Sequence, residues 1–348
     1  MVWDQLPLPS RIRSALQRTH LKSVREVLSL PAVDVQRLTG LAQPEVHQLL
    51  TVAAAVCRRH APLTVLQLQR GECRRCESGL RLSVSCPVLD GLLRGGLPVG
   101  GITELSGPSG AGKTQLALQI SLSVQYPVEH GGLGAGALYI CTEDSFPIRR
   151  LQQMISEQAI LRSEVPPSVI SGLHFSDHVY IEHALSFWCH GCRLKTLSAC
   201  LVRLIVVDSV AALFRSEFQT EDWLERNKQL LTFSTMLHQL SQEFTTPVLC
   251  INQVRGLKET FSLRFNPSRC ASFCLRPLSS SVTPALGLAW ANQVMMRLMM
   301  LRHQTTVSRG DQSSTLRRLE VVFAPHLARS KRDVGVWREG VRGVPVLE

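Results

Sequence analysis

Residues 107–114 read Gly-Pro-Ser-Gly-Ala-Gly-Lys-Thr, a complete G-x-x-x-x-G-K-T. They follow an apolar run at 101–105 and open a helical pattern at 115–124. A glycine-rich turn between a buried strand and a helix restricts the chain to few folds, because it belongs at the carboxyl edge of a parallel sheet. The glycines let backbone amides wrap an anion, and the helix N-terminus adds positive potential. Lys113 has the reach for β- and γ-phosphates, and the Thr114 hydroxyl is a Mg²⁺ ligand by type. Gly107, Pro108, Ser109, Gly110, Ala111, Gly112, Lys113 and Thr114 are therefore expected to hold a nucleoside triphosphate with Mg²⁺.

Three further apolar runs, 137–141, 204–207 and 247–251, alternate with helical patterns. They predict successive βαβ units and a mostly parallel central sheet with α/β architecture. Each run ends in a chemically useful residue. Asp208 closes the 204–207 run and is placed to order the metal together with Thr114. The next residue is Ser209, not a glutamate, so the group that orients an attacking water must come from elsewhere. Glu143, just beyond the 137–141 strand, is the candidate; Asp144 is its rival, and periodicity does not choose between them. Gln253 ends the last run, where its amide is placed to sense a γ-phosphate.

Residues 255–283 carry few regular signals and hold Arg255, Lys258, Arg264, Arg269 and Arg276, interleaved with Phe261, Phe265 and Phe273. Cations among aromatics in a loop suit single-stranded DNA through phosphate contacts and base stacking; a solvated loop is the plainer alternative. Charge favours DNA. The chain has a formal charge of +11, and residues 255–342 hold 15 Lys/Arg against 5 Asp/Glu. Such concentration points to a polyanionic partner.

The first 58 residues read as a separate, all-helical domain. Ser23-Val24-Arg25-Glu26 has the form of a capping box, and Gly40 followed by Pro44 separates two helical patterns as in a helix–hairpin–helix. Such a hairpin meets a DNA phosphate without reading sequence; a plain helical bundle is the competing reading. Basic, broken residues 59–80 read as a linker, and 81–348 as the nucleotide-binding core. Cys73/Cys76 and Cys189/Cys192 are spaced as zinc pairs but are far apart with no matching histidines, so free thiols are expected. The longest apolar stretch, 285–301, is broken by Asn292, Gln293 and Arg297, so no membrane span is expected, and no secretory signal is visible at the start.

The helical head, the P-loop, Tyr139-Ile140-Cys141-Thr142-Glu143, Val206-Val207-Asp208-Ser209 and Ile251-Asn252-Gln253-Val254 occur in this order. The arrangement resembles the RecA-type strand-exchange recombinases of eukaryotes and archaea, and within them the recombinase paralogues of homologous recombination. The likeness runs from about residue 10 to 343. It implies a RecA-like ATPase core, with Glu143 as the base, Gln253 as γ-phosphate sensor, Arg150 stacking on adenine and residues 255–283 as a DNA-binding loop. It also implies nucleotide held between subunits. The filament-forming motif of such proteins is replaced here by Leu63-Thr64-Val65-Leu66, which points to a C-type recombinase paralogue as hetero-partner, with the main strand-exchange recombinase as a further one. Single-stranded or branched DNA is the implied substrate, and the nucleus, with cytoplasm, the implied location. A non-hydrolysing scaffold is the alternative function, and a small-molecule kinase a poorer third. Residues 185–200 lack the helical pattern expected before the Asp208 strand.

Overall fold

The four apolar runs are strands, and they lie side by side. The protein, a computed structural model, is described at residues 3, 6–21, 23–57, 64–70, 79–183, 202–216, 223–256, 282–284 and 286–344. It divides into two compact units, residues 1–76 and 77–348.

In the second unit a short pair, β1 (Arg81–Leu82) and β2 (Leu97–Pro98), stands apart from the main sheet. The main strands follow: β3 (Ile102–Gly107), β4 (Gly136–Cys141), β5 (Val179–His183), β6 (Val202–Asp208), β7 (Val248–Gly256), β8 (Val282–Pro284), β9 (Met296–Arg309), β10 (Gln312–Phe323), β11 (Lys331–Val336) and β12 (Val341–Gly343). Their order is β12-β11-β10-β9-β3-β7-β6-β4-β5, with β8 pairing β7. From β9 through β5 neighbours are parallel. The other pairings, including β9–β10, are antiparallel. This is a RecA-like α/β fold extended by an antiparallel arm.

The central strands bury both faces, so they are mostly apolar. Alternate side chains feed two cores. Leu105, Tyr139, Val206 and Leu249 pack under the helix Lys113–Ser123. Ile140, Ile205, Val207 and Val248 meet Leu213 and Phe214 of Val210–Ser216, and Phe233 and Leu237 of Trp223–Phe244.

In the first unit, Ile12, Leu16, Val27, Val35 and Leu49 close a small helical core. The Ser23/Glu26 capping box is formed, with Glu26 N donating to Ser23 Oγ at 3.2 Å. Gly40 caps the helix Ala32–Thr39 at φ 66°, a left-handed conformation that costs glycine little. The next helix, Gln43–Cys57, starts with Ala42 N donating to Glu45 Oε2 at 2.8 Å.

Residues 59–80, read as linker, include the short helix Val65–Gln69, begun by Gln67 N donating to Thr64 Oγ1 at 3.2 Å. One local expectation needs revision. The irregular reading of 255–283 fails at both ends. β7 continues to Gly256, and Val254↔Pro284 through Gly256↔Val282 pair as a hairpin stem. Among the described residues no helix is long and apolar enough to cross a membrane.

Candidate functional site

Strand register alone assembles the site. Gly107 of β3 is level with Gln253 of β7, Ile251 of β7 with Asp208 of β6, and Asp208 with Cys141 of β4. Four strands scattered through the sequence thus end at one edge of one sheet, where α/β folds place ligands. A cavity of about 540 Å³ opens there, lined by Lys113, Thr114, Glu143, Asp208, Gln253 and Arg317 among others.

The glycine loop has the form that its residues predict. Gly110 and Gly112 hold φ of 71° and 100°. A Cβ on Gly107 would lie 2.2 Å from the Met300 carbonyl oxygen, so only glycine fits against β9. Lys113 is buried and donates from Nζ to the carbonyls of Gly107 and Pro108, at 2.8 Å each. Burial pulls its pKa below the usual lysine value, against the opposing pull of Asp208 and Glu143.

Thr114 Oγ1 donates to Asp208 Oδ2 at 2.8 Å, and Tyr139 Oη donates to the same oxygen at 2.7 Å. Burial, reinforced by the Asp208 charge, pushes the Tyr139 hydroxyl pKa well up, so it stays a donor. Cys141 is pushed up to about 12 by burial and then by Asp208, and is an inert neutral thiol. A threonine hydroxyl beside a carboxylate is an all-oxygen pair of the kind a hard divalent cation selects. Thr142 fixes the Asp208–Ser209 corner: its Oγ1 donates to Ser209 O and accepts from Ser209 N, both at 2.7 Å.

Glu143 and Gln253 meet. Gln253 Nε2 donates to Glu143 Oε2 at 2.9 Å and to Oε1 at 3.2 Å. Asp144, the rival carboxylate, also lines the cavity. Of the predicted nucleotide-binding residues, Gly107, Pro108 and Ala111 of the loop and Arg150 are not among those lining it. Arg150 Nε donates to Gln115 Oε1 at 2.6 Å, and its Nη atoms to the carbonyls of Arg338 at 2.9 Å and Trp337 at 2.6 Å. Arg255 lies in β7 by its backbone. Its side chain, together with Lys258, Arg264, Arg269, Arg276, the two Cys-x-x-Cys pairs and residues 185–200, falls outside the described residues. Among the described residues no cluster of metal-ligating side chains was found.

With strand order, P-loop and paired edge residues in place, comparison with known proteins is decisive. The Rad51 family model matches residues 75–324. This chain belongs to the Rad51 family. A second model, the XRCC3/RpoA-like helix-hairpin-helix domain, matches residues 3–57. The chain is 45% identical to mouse DNA repair protein XRCC3 over 98% of both chains, and 46% identical to the bovine protein of the same name over the same shares. It is 36% identical to the DNA repair protein XRCC3 homolog of Arabidopsis thaliana, over 78% of this chain and 95% of that one. In this Rad51-family chain Tyr139 and Arg317 line the cavity and Thr142 braces the Asp208–Ser209 corner, roles the sequence does not single out. Tyr139 and Thr142 sit inside motifs quoted for other members. Arg317 leaves no sequence signal beyond its charge.

Proposed function

We propose that this protein binds ATP with Mg²⁺ and is a DNA-dependent ATPase of the recombinase-paralogue class, acting in double-strand break repair by homologous recombination within a hetero-oligomeric paralogue complex. The observation that carries the reading is the convergence of Lys113, the Thr114–Asp208 pair and the Glu143–Gln253 pair around one cavity. Relatives of similar length named for DNA repair support the biological role.

When bound, ATP with Mg²⁺ supplies the reactive γ-phosphoryl group and the charge that neutralises its oxygens. Thr114 and Asp208 are the residues that would hold the metal. Lys113 exchanges its two carbonyl acceptors for phosphate oxygens. Glu143 accepts a proton from water at a carboxylate oxygen, which requires Gln253 to release it. The Gln253 amide then turns to phosphate, and β7 carries that change to the stem of the 257–281 segment. Arg150 lies on the helix Ile148–Ser156, beyond Pro147 at the cavity rim, and serves the base end of the nucleotide. Single-stranded or branched DNA is the proposed activator, bound by Arg255, Lys258, Arg264, Arg269 and Arg276. A C-type paralogue and the main recombinase are the proposed protein partners, and the nucleus, with cytoplasm, the proposed location.

One observation favours a second reading, a scaffold in which ATP stabilises assembly without turnover. Both Glu143 oxygens are taken by Gln253, so the base is engaged. Phosphate release by the purified protein, with and without partner and single-stranded DNA, separates the two. Glu143→Gln is expected to abolish turnover and retain nucleotide binding. Tight binding with no turnover under any condition would establish the scaffold.

A further inference from the structure

The parallel edge of the sheet ends unevenly. β9 runs beside β3 as far as Ser106↔Met299 and then continues to Arg309, paired only with β10. β3 lies between β7 and β9. The hairpin therefore flanks the P-loop on the side opposite Gln253.

In that extension Arg302 and Arg317 stand directly opposite each other. Both lie against the loop. A Cβ on Gly110 would be 3.3 Å from Arg302 Nη1, and one on Gly112 would be 3.3 Å from Arg317 Cδ and Nε. Arg317 lines the same cavity as Lys113. Its Nη1 donates to Ser314 Oγ at 3.1 Å and Thr315 O at 2.6 Å, while its buried Nε has no acceptor among the described residues.

Neighbouring arginines of the hairpin are treated differently. Arg318 pairs with Asp333 at 2.7 Å, and Arg309 pairs with Glu339. Among the described residues Arg302 and Arg317 have no acidic partner. Like charges directly opposite on adjacent strands are unfavourable. Burial, together with the charge of Arg302, accordingly lowers the Arg317 pKa. A bound anion removes both the repulsion and the unmet donor.

We propose that Arg317, backed by Arg302 across the β9–β10 ladder, is a second cationic clamp of this chain's own P-loop, gripping the polyphosphate of the nucleotide from the flank opposite Gln253. The proposal rests on the nucleotide-binding reading above. It differs from a neighbouring subunit's contribution, because both arginines and the loop belong to one chain.

Calorimetric titration of the full chain with MgATP, inorganic tripolyphosphate and AMP tests it, using wild type, Arg317→Gln, Arg302→Gln and Arg317→Lys. Loss of a charge-assisted hydrogen bond is expected to weaken ATP and tripolyphosphate about tenfold or more in Arg317→Gln. AMP should change little, and Arg317→Lys should recover part of the loss. The melting temperature without nucleotide should hold or rise as repulsion is relieved, a response that a merely structural arginine would not give. Undiminished ATP and tripolyphosphate affinity in Arg317→Gln overturns the clamp while leaving the nucleotide reading intact. Failure of wild type to bind ATP overturns both. Should Arg317→Gln not fold, Arg302→Gln decides, because that residue is exposed and carries little packing.

Discussion

Lys113 shows how a single residue is prepared for a ligand. Its ammonium is buried and, among the described residues, bonded only to the carbonyls of its own loop. Its pKa is lowered from 10.5, first by burial. The sign follows directly. A protonated amine is needed to hold phosphate, so ATP affinity should be level near neutral pH and fall as pH rises through the lowered value. The nucleotide-free protein should instead gain stability over the same rise, because the desolvated charge is lost from the folded state before the unfolded one. Titration across alkaline pH checks the first, and replacement by Arg should flatten the fall. Lys113 was legible from its motif alone. Arg317 was not: in the sequence it and Arg318 are adjacent and alike, and only strand alternation sends one to the cavity and the other to Asp333.

Elements carry the next level. Glu104 lies in mid-strand of β3, fully buried, and is bonded by Asn252 Nδ2 at 2.6 Å, by Trp290 Nε1 at 3.1 Å and by the Arg297 guanidinium. One carboxylate thus ties β3 to β7 just before Gln253, to the helix Gly287–Ala291 and to β9. Removing one partner of a buried ion pair leaves the other uncompensated. Glu104→Ala should therefore destabilise the core by about 3–5 kcal/mol, read from denaturant unfolding. Leu237→Ala, which only opens a cavity against the sheet, should cost about 2–5 kcal/mol. The four parallel strands were legible because two-sided burial leaves largely apolar runs. The arm β9–β12 was not, because its buried and exposed positions are mixed and leave no such run beyond residue 301. Its turn, Gly310 at φ 58° with Asp311, was the available signal.

The whole molecule comprises two compact units, each with its own core. Two unfolding transitions are expected in calorimetry, and ATP should raise only that of residues 77–348, since the cavity lies wholly within it. A single transition shifted as one would contradict this. The sequence by itself determined the fold class, the glycine-rich loop between strand and helix, and Asp208, Glu143 and Gln253 as strand-end residues, because local spacing encodes helix, strand and turn. The tertiary structure alone decided which strands are neighbours. That choice joined Glu143 to Gln253, tied Arg150 to Gln115 and the Trp337 and Arg338 carbonyls, and set Arg302 opposite Arg317. Strand order and register depend on packing between segments far apart in the chain, and no local pattern of residues records them.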